Sequence, residues 1–191
     1  LLHMSVSRAL LRHAPMSVLV VPLTKAPKPL IRGTPQRVLA ATDFSEAGDQ
    51  AVQRAYALCG AGGQVRLVHV VHPHVLAPGA AGPGPGDPHA TVHPSERARL
   101  SADRLRALVP AEAAGRGITT EVEVVEHPRP ALAIAQAAAR FGADIICLGT
   151  RGRSRLSVAL GDSVTQNLLR LTTRPLLVAR WSPERASSSG E

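Results

Sequence analysis

Five short apolar runs alternate with segments of helical periodicity between residues 37 and 179, and this alternation constrains the fold more than any other feature. Short apolar runs bounded by turn residues predict buried strands, and helices between successive strands predict parallel pairing with right-handed crossovers. We therefore predict an α/β fold in which helices cover both faces of an open five-stranded parallel sheet. The predicted strands span residues 37–42, 64–71, 118–125, 144–149 and 175–179, and the predicted helices span residues 43–59, 95–115, 130–141 and 163–171.

The stretch Leu148–Val164 carries the clearest indication of a ligand. An apolar run breaks at Gly149, turns through Gly152 and restarts as a helix near Ser163, where Gln166 three residues on completes a capping-box pattern. Glycines and a helix start both present backbone N–H groups to an anion, so the stretch suits phosphate binding. It matches neither GxGxxG nor the P-loop, and the residues alone leave a plain strand-to-helix connection equally open. The arginines of this loop are Arg151, Arg153 and Arg155.

The same stretch resembles the nucleotide-binding signature of the universal stress protein family, G-x2-G-x9-G-(S/T). Gly149 and Gly152 match its first half, and Ser163 matches its last residue. Asp162 stands where the signature has its last glycine, and Gly161 comes one position early. An aspartate at this position either repels the phosphates or turns outward and caps the helix, which leaves Gly161 to approach the ligand.

The resemblance extends from Gln36 to Trp181 and implies the strand order 3-2-1-4-5 of universal stress proteins and adenine nucleotide alpha hydrolase-like folds. The first and fourth strands are then neighbours, and the ligand crevice lies between them, where the strand order reverses. The resemblance also implies that Asp43 contacts the nucleotide near its ribose and phosphates, and that Val70 lies against the adenine. From the residues alone, Asp43 equally suits a helix N-cap and Val70 equally suits core packing.

The function implied by the resemblance is ATP binding, with or without Mg²⁺, by a domain with a regulatory or stress-response role. No motif positions a general base or an arginine finger, so we expect slow hydrolysis at most and no dedicated enzyme. Asp162 favours the alternative, a dimerisation or interaction module of the same fold that binds no nucleotide. An adenylating enzyme of a related fold is disfavoured, because the turn at Thr42–Ser45 lacks glycines. The implied nucleotide-binding residues are Ala41, Thr42, Asp43, Val70, Leu148, Gly149, Arg151, Gly152, Arg153, Gly161, Ser163 and Val164.

An ungapped internal repeat relates the two ends of the chain. Residues 5–22 match residues 163–180, with Ser-Val, Leu-Leu-Arg and Leu-Val in register. We therefore predict that residues 1–23 are the last helix and strand of a preceding domain of the same kind; a chance amphipathic segment is the alternative. Residues 24–35 are then a linker, residues 36–181 the complete domain, and residues 182–191 a disordered tail.

The last predicted strand would lie at an edge of the sheet, and an apolar edge invites pairing. In universal stress proteins this edge commonly pairs with its counterpart in a second domain. We expect Val18–Val21 to pair antiparallel with Leu176–Ala179, either within the chain, as between tandem domains, or across a homodimer.

The formal net charge of +8 is compatible with nucleic-acid binding, but the basic residues are spread along the chain. Aromatic residues, which would stack on bases, make up only 2% of the chain, so we predict no nucleic-acid partner. No apolar run reaches membrane length and no signal peptide opens the sequence, so we expect a cytoplasmic protein without membrane contact. The preference for arginine over lysine is typical of a G+C-rich bacterial genome.

The remaining chemistry-bearing residues are interpreted as structural. Cys59 and Cys147 suit core thiols, and Glu121 and Glu123 alternate with valines, as on the polar face of a strand near an edge. The segment 72–94, rich in proline and glycine, is interpreted as a mobile lid. Its histidines lack the spacing of a metal site, so we predict neither metal ligands nor catalytic residues. These histidines are His72, His74, His89 and His93.

Overall fold

The computed structural model describes residues 14, 16–22, 33–73, 94–151 and 164–181. The strands are β1 (Val18–Val20), β2 (Arg37–Ala41), β3 (Gln64–Val71), β4 (Thr119–Glu126), β5 (Ile145–Arg151) and β6 (Leu176–Trp181). The helices are α1 (Glu46–Leu58), α2 (Pro94–Ala107), α3 (Glu112–Gly115), α4 (Pro130–Phe141) and α5 (Val164–Leu171). The predicted tail at 182–191, and all but the ends of the predicted lid at 72–94, lie outside the described residues.

The strands form one sheet in the order β1-β6-β5-β2-β3-β4. Strands β2 to β6 are parallel to their neighbours and follow the predicted order 3-2-1-4-5 when counted from β2. The sheet differs from the prediction by a sixth strand, because β1 pairs antiparallel with β6 and places Leu19 opposite Leu177. The expected pairing of the N-terminal segment with the last strand is therefore confirmed, and it occurs within one chain.

The two faces of the sheet are covered by different helices. Val38 and Ala40 of β2 belong to the apolar cluster on the α1 and α2 face, whereas Leu39 and Ala41 belong to the cluster on the α4 and α5 face. A strand that is buried on both faces has a continuous run of apolar residues in its sequence, and β2 has such a run at Val38–Ala41. A one-residue slip would exchange the two sets of side chains, so burial on both faces fixes the register.

One predicted helix differs from the structure, and the end of another is confirmed. The single helix predicted over residues 95–115 is two helices, α2 and α3, and Pro110 lies between them. Proline has no backbone N–H to donate and its ring clashes with the preceding turn, so it interrupts the helix. The end of α4 is as predicted, with Gly142 at the C-cap in the left-handed region at φ 66°.

Both cysteines are free thiols in the interior, as predicted. Burial raises the pKa of Cys147 to about 12 and also raises the pKa of Cys59. The expected polar face of β4 is confirmed too: Glu123 forms an ion pair with Arg66 at 3.2 Å, and Glu121 is also paired with Arg66. These carboxylates belong to surface ion pairs at the outermost strand of the parallel sheet.

Candidate functional site

The strand order reverses between β2 and β5, which are parallel neighbours at the centre of the sheet. Their last paired residues are Ala41 and Leu148. Beyond that point β2 turns away towards α1, whereas β5 continues to Arg151 and pairs only with β6. The edge of β5 on the β2 side therefore borders the space above the end of β2. In open parallel sheets, this is the place where ligands bind.

The course of β5 corrects the sequence prediction. Gly149 was expected to end the strand and to start a loop that runs through Arg151, but both residues lie within β5. They extend the strand because β6 continues to Trp181 and supplies backbone partners, with Gly149 opposite Ala179 and Arg151 opposite Trp181. The first part of the signature-like stretch is thus a paired strand.

The turn that follows β2 carries Asp43 to the same end of the sheet. Thr42 is buried and Asp43 is exposed. Oδ1 of Asp43 accepts hydrogen bonds from the backbone N–H of Ser45 at 3.0 Å and from its hydroxyl. The Ser45 hydroxyl oxygen in turn accepts a bond from the N–H of Gly48 at 3.2 Å, so Ser45 is the N-cap of α1. The cap alternative considered for Asp43 is therefore wrong, since Asp43 instead orients the residue that caps the helix.

Two glycines bring α1 close to the ends of both central strands. A Cβ atom added at Gly149 would overlap the backbone carbonyl of Ala47, in the first turn of α1. A Cβ atom added at Gly48 would lie 2.5 Å from Oγ1 of Thr42 and 2.9 Å from Oδ1 of Asp43. Asp43 and Gly149 thus approach the same turn of helix from two sides. The absence of a side chain at Gly149 serves this close packing.

Residues of the candidate site lie on both faces of the sheet. Thr42 and Gly149 face α1, whereas Ala41, Val70 and Leu148 belong to the apolar cluster on the α4 and α5 face. Val70 is half-buried and packs against that cluster, next to Val125 of β4. The two sets meet only at the end of the sheet. A ligand that contacts both sets would have to lie across that end.

The second half of the predicted phosphate site, up to Ser163, falls outside the part of the chain that the structure describes. Gly152, Arg153, Gly161, Asp162 and Ser163 lie outside the described residues. Val164 is the first residue of α5 and is 37% exposed. The helix therefore begins where the capping-box pattern predicts, immediately after Ser163.

Three residues next to the Asp43 turn were not found by sequence reasoning. Phe44 has a left-handed backbone, with φ 60°, and its ring centroid lies 4.3 Å from that of His69. The guanidinium carbon of Arg104 in α2 lies 4.0 Å from the Phe44 ring centroid. Nδ1 of His69 donates a hydrogen bond to the carbonyl oxygen of Thr42 at 2.9 Å. No periodicity or motif marks these contacts, because they join three separate segments of the chain.

Within the described ranges, no cluster of three or more histidine, cysteine or carboxylate side chains could hold a metal ion. In the same part of the chain, none of the helices is both long enough and apolar enough to cross a bilayer.

A parallel sheet whose strand order reverses between β2 and β5, with helices on both faces, defines an α/β protein of the doubly wound type. The chain belongs to the universal stress protein family, whose sequence profile matches residues 34–180. No curated protein sequence shows a significant match to it.

Solved structures of similar fold include several universal stress proteins. One from Archaeoglobus fulgidus DSM 4304 has 21% sequence identity and a TM-score of 0.61, over 94% of this chain and 55% of that one. This chain therefore spans only 55% of the length of that protein. A universal stress protein in complex with cAMP has 21% identity and a TM-score of 0.51, over 78% of this chain and 99% of that one. An Arabidopsis thaliana family protein with AMP bound has 14% identity and a TM-score of 0.50, over 81% and 97%.

Proposed function

We propose that this protein binds an adenine nucleotide, ATP with or without Mg²⁺, across the end of the sheet between β2 and β5, and that binding serves a regulatory stress response. The observation that carries the proposal is that β2 turns away after Ala41 whereas β5 continues to Arg151, so that the Asp43 turn and the last part of β5 lie at the same end of the sheet. The AMP and cAMP complexes of two proteins with this fold support an adenine ligand.

The chemistry of the bordering groups suits a nucleotide. The carboxylate of Asp43 is a strong acceptor for ribose hydroxyl groups, and it is exposed at the carboxyl end of β2. Val70, which is half-buried on the opposite face of the sheet, offers aliphatic surface against which an adenine ring can pack. The edge of β5 beyond Leu148, which β2 does not pair, and the start of α5 would supply N–H groups for phosphate oxygens.

Isothermal titration calorimetry of the full chain with ATP, AMP, cAMP and GTP, each with and without Mg²⁺, tests the proposal. We expect saturable binding of at least one adenine nucleotide and weaker binding of GTP. Asp43→Asn keeps an oxygen that can accept the bonds from Ser45 but removes the charge. A hydrogen bond to a charged group contributes about 1.5–3 kcal/mol, so we expect affinity to fall by roughly ten- to a hundredfold.

Glu112→Gln is the matched control, because it removes the same charge in α3, which leads into the amino end of β4. It should leave nucleotide affinity unchanged. If the wild-type protein binds no adenine nucleotide at millimolar concentration, the proposal is wrong, and the alternative of an interaction module without nucleotide takes its place.

We also propose that the protein is not a dedicated catalyst. In the Asp43 turn, the groups that could serve as base and nucleophile have structural uses: the Asp43 carboxylate accepts bonds from Ser45, and the Ser45 hydroxyl oxygen caps α1 by accepting from the N–H of Gly48. The rate of ADP production at saturating ATP can be measured by chromatography. We expect it to remain below about one turnover per minute, which is far slower than typical enzymes. Turnover at several per second would contradict this.

A further inference from the structure

Phe44 lies between Asp43 and the helix cap Ser45 in a conformation that an aromatic residue rarely adopts. Its φ of 60° is in the left-handed region, and among the residues that the structure describes it is the only non-glycine residue with a positive φ. Residues in such conformations persist only where surrounding contacts hold them, and they concentrate at functional sites. The contacts that hold Phe44 therefore determine the conformation of the turn that carries Asp43.

Those contacts come from three directions. The backbone N–H of Phe44 donates to Oγ1 of Thr42 at 2.9 Å, which closes the turn. The ring lies 4.3 Å from His69 of β3, with 39° between the ring planes, and His69 is itself bonded to the Thr42 carbonyl. The Arg104 guanidinium lies 4.0 Å from the ring centroid, a cation–π contact that ties the turn to α2.

We propose that Arg104 is a positioning residue for the nucleotide site. It acts through the Phe44 ring, which it holds against His69, and so it keeps the left-handed turn closed with Asp43 at the lip of the crevice. The nucleotide part of this inference rests on the proposed function, whereas the closing of the turn is a property of the unliganded protein. Because Arg104 belongs to α2, the position of α2 and the readiness of the site to bind are energetically linked.

Hydrogen–deuterium exchange of the unliganded protein tests the positioning role. The exchange rate is measured on peptides that cover residues 42–49. The N–H groups of Phe44 and Ser45 in this segment are bonded to Thr42 and Asp43 only while the turn is closed. Because Arg104 is exposed, its cation–π contact has a modest effect, and we expect Arg104→Gln to accelerate exchange by about two- to fivefold. Arg104→Lys keeps a cation and should retain most of the protection.

Arg106→Gln is the matched control, since Arg106 lies in the same last turn of α2 and pairs with Asp103 instead of a ring. A double-mutant cycle between Arg104 and Phe44, measured by exchange, distinguishes an effect through the ring from a general structural effect. If Arg104 acts through the ring, Arg104→Gln should have no further effect on exchange in the Phe44→Leu background. The inference is overturned if Arg104→Gln does not change the exchange rate of the wild-type protein, or if it changes the rate equally in the wild-type and Phe44→Leu backgrounds.

Nucleotide titration of the same variants completes the test. We expect Arg104→Gln to weaken binding by the ratio of the closed fractions of the turn that the exchange rates give for the two proteins, because only the closed turn binds the ligand. An affinity that does not follow this ratio would overturn the link to the site. Absence of binding by the wild-type protein would refute the proposed function instead, and the exchange cycle would still decide whether Arg104 closes the turn.

Discussion

The first turn of α1 lies so close to the end of β5 that a side chain at Gly149 would overlap the backbone carbonyl of Ala47. We therefore expect Gly149→Ala to destabilise the fold by about 2–4 kcal/mol, because overpacking against backbone cannot be relieved by a rotamer change. Urea denaturation followed by circular dichroism measures this. Gly115→Ala is the control, since a Cβ there meets nothing within 4 Å, and its stability should match or slightly exceed that of the wild type. Equal stability of the two variants would mean that α1 does not press on β5.

The left-handed backbone of Phe44 can be tested by comparing the stabilities of glycine and alanine variants at this position. Both Phe44→Ala and Phe44→Gly remove the ring contacts, but only glycine adopts a φ of 60° without steric cost. We expect Phe44→Gly to be more stable than Phe44→Ala by about 1 kcal/mol. At Gln53, an exposed position inside α1, the order should reverse, because alanine favours a helix interior by about 1 kcal/mol over glycine. The same order at both positions would argue against a left-handed turn.

The β1 and β6 register can be fixed by a disulfide. Leu19 and Leu177 are direct partners in the antiparallel pair, and the Cα atoms of such partners are about 4.5–5.5 Å apart, within the range that a disulfide spans. We expect oxidised Leu19→Cys/Leu177→Cys protein to form a bond within one chain, visible as a shifted monomer band on a non-reducing gel. Val21→Cys/Leu177→Cys, which is out of register, should cross-link far less. A covalent dimer would show instead that β1 pairs with β6 of a second copy.

Cys147 should make stability depend on pH in the alkaline range. Burial raises its pKa to about 12 in the folded protein from an ordinary value of 9.0. The folded state therefore keeps a proton that the unfolded chain loses, so stability falls as the pH rises above about 9. The slope approaches about 1.4 kcal/mol per pH unit, and between pH 8 and pH 10 we expect a total loss of about 1.4 kcal/mol attributable to this thiol.

Urea denaturation of the wild type and of Cys147→Ala at both pH values isolates that contribution. The substitution removes a buried sulfur and carries a cost that does not depend on pH, so the informative quantity is the difference between the two proteins. This difference should shrink at pH 10. If the difference in stability between the two proteins is the same at pH 8 and pH 10, burial does not raise the pKa of the Cys147 thiol.

The architecture could be predicted from the sequence because it depends on which segments are buried. Runs such as Val38–Ala41 and Ile145–Leu148 are apolar throughout, since the strands are covered on both faces, and the helices between them require parallel pairing. The pairing of β1 with β6 was predicted from the internal repeat and from the apolar edge. These are properties of whole segments, and patterns in the sequence record them directly.

The site was predicted less well because it depends on single contacts. Thr42, Asp43 and Ser45 are all residue types that cap helices, and only their geometry shows that Ser45 is the cap while Asp43 supports it. Gly149 was interpreted through its freedom to approach a phosphate, whereas the structure shows a packing reason in Ala47. The left-handed Phe44 could not have been predicted, because its conformation depends on partners far along the chain.

The N-terminal strand has a practical consequence for anyone who isolates the family domain. A chain trimmed to residues 34–180, the span that the family profile matches, would lose β1 and leave the backbone groups along the outer side of β6 without partners. A bare strand of this kind templates sheet growth between molecules. A trimmed domain would therefore tend to self-associate and precipitate, and β1, which lies outside the profile, would be the segment that prevents this.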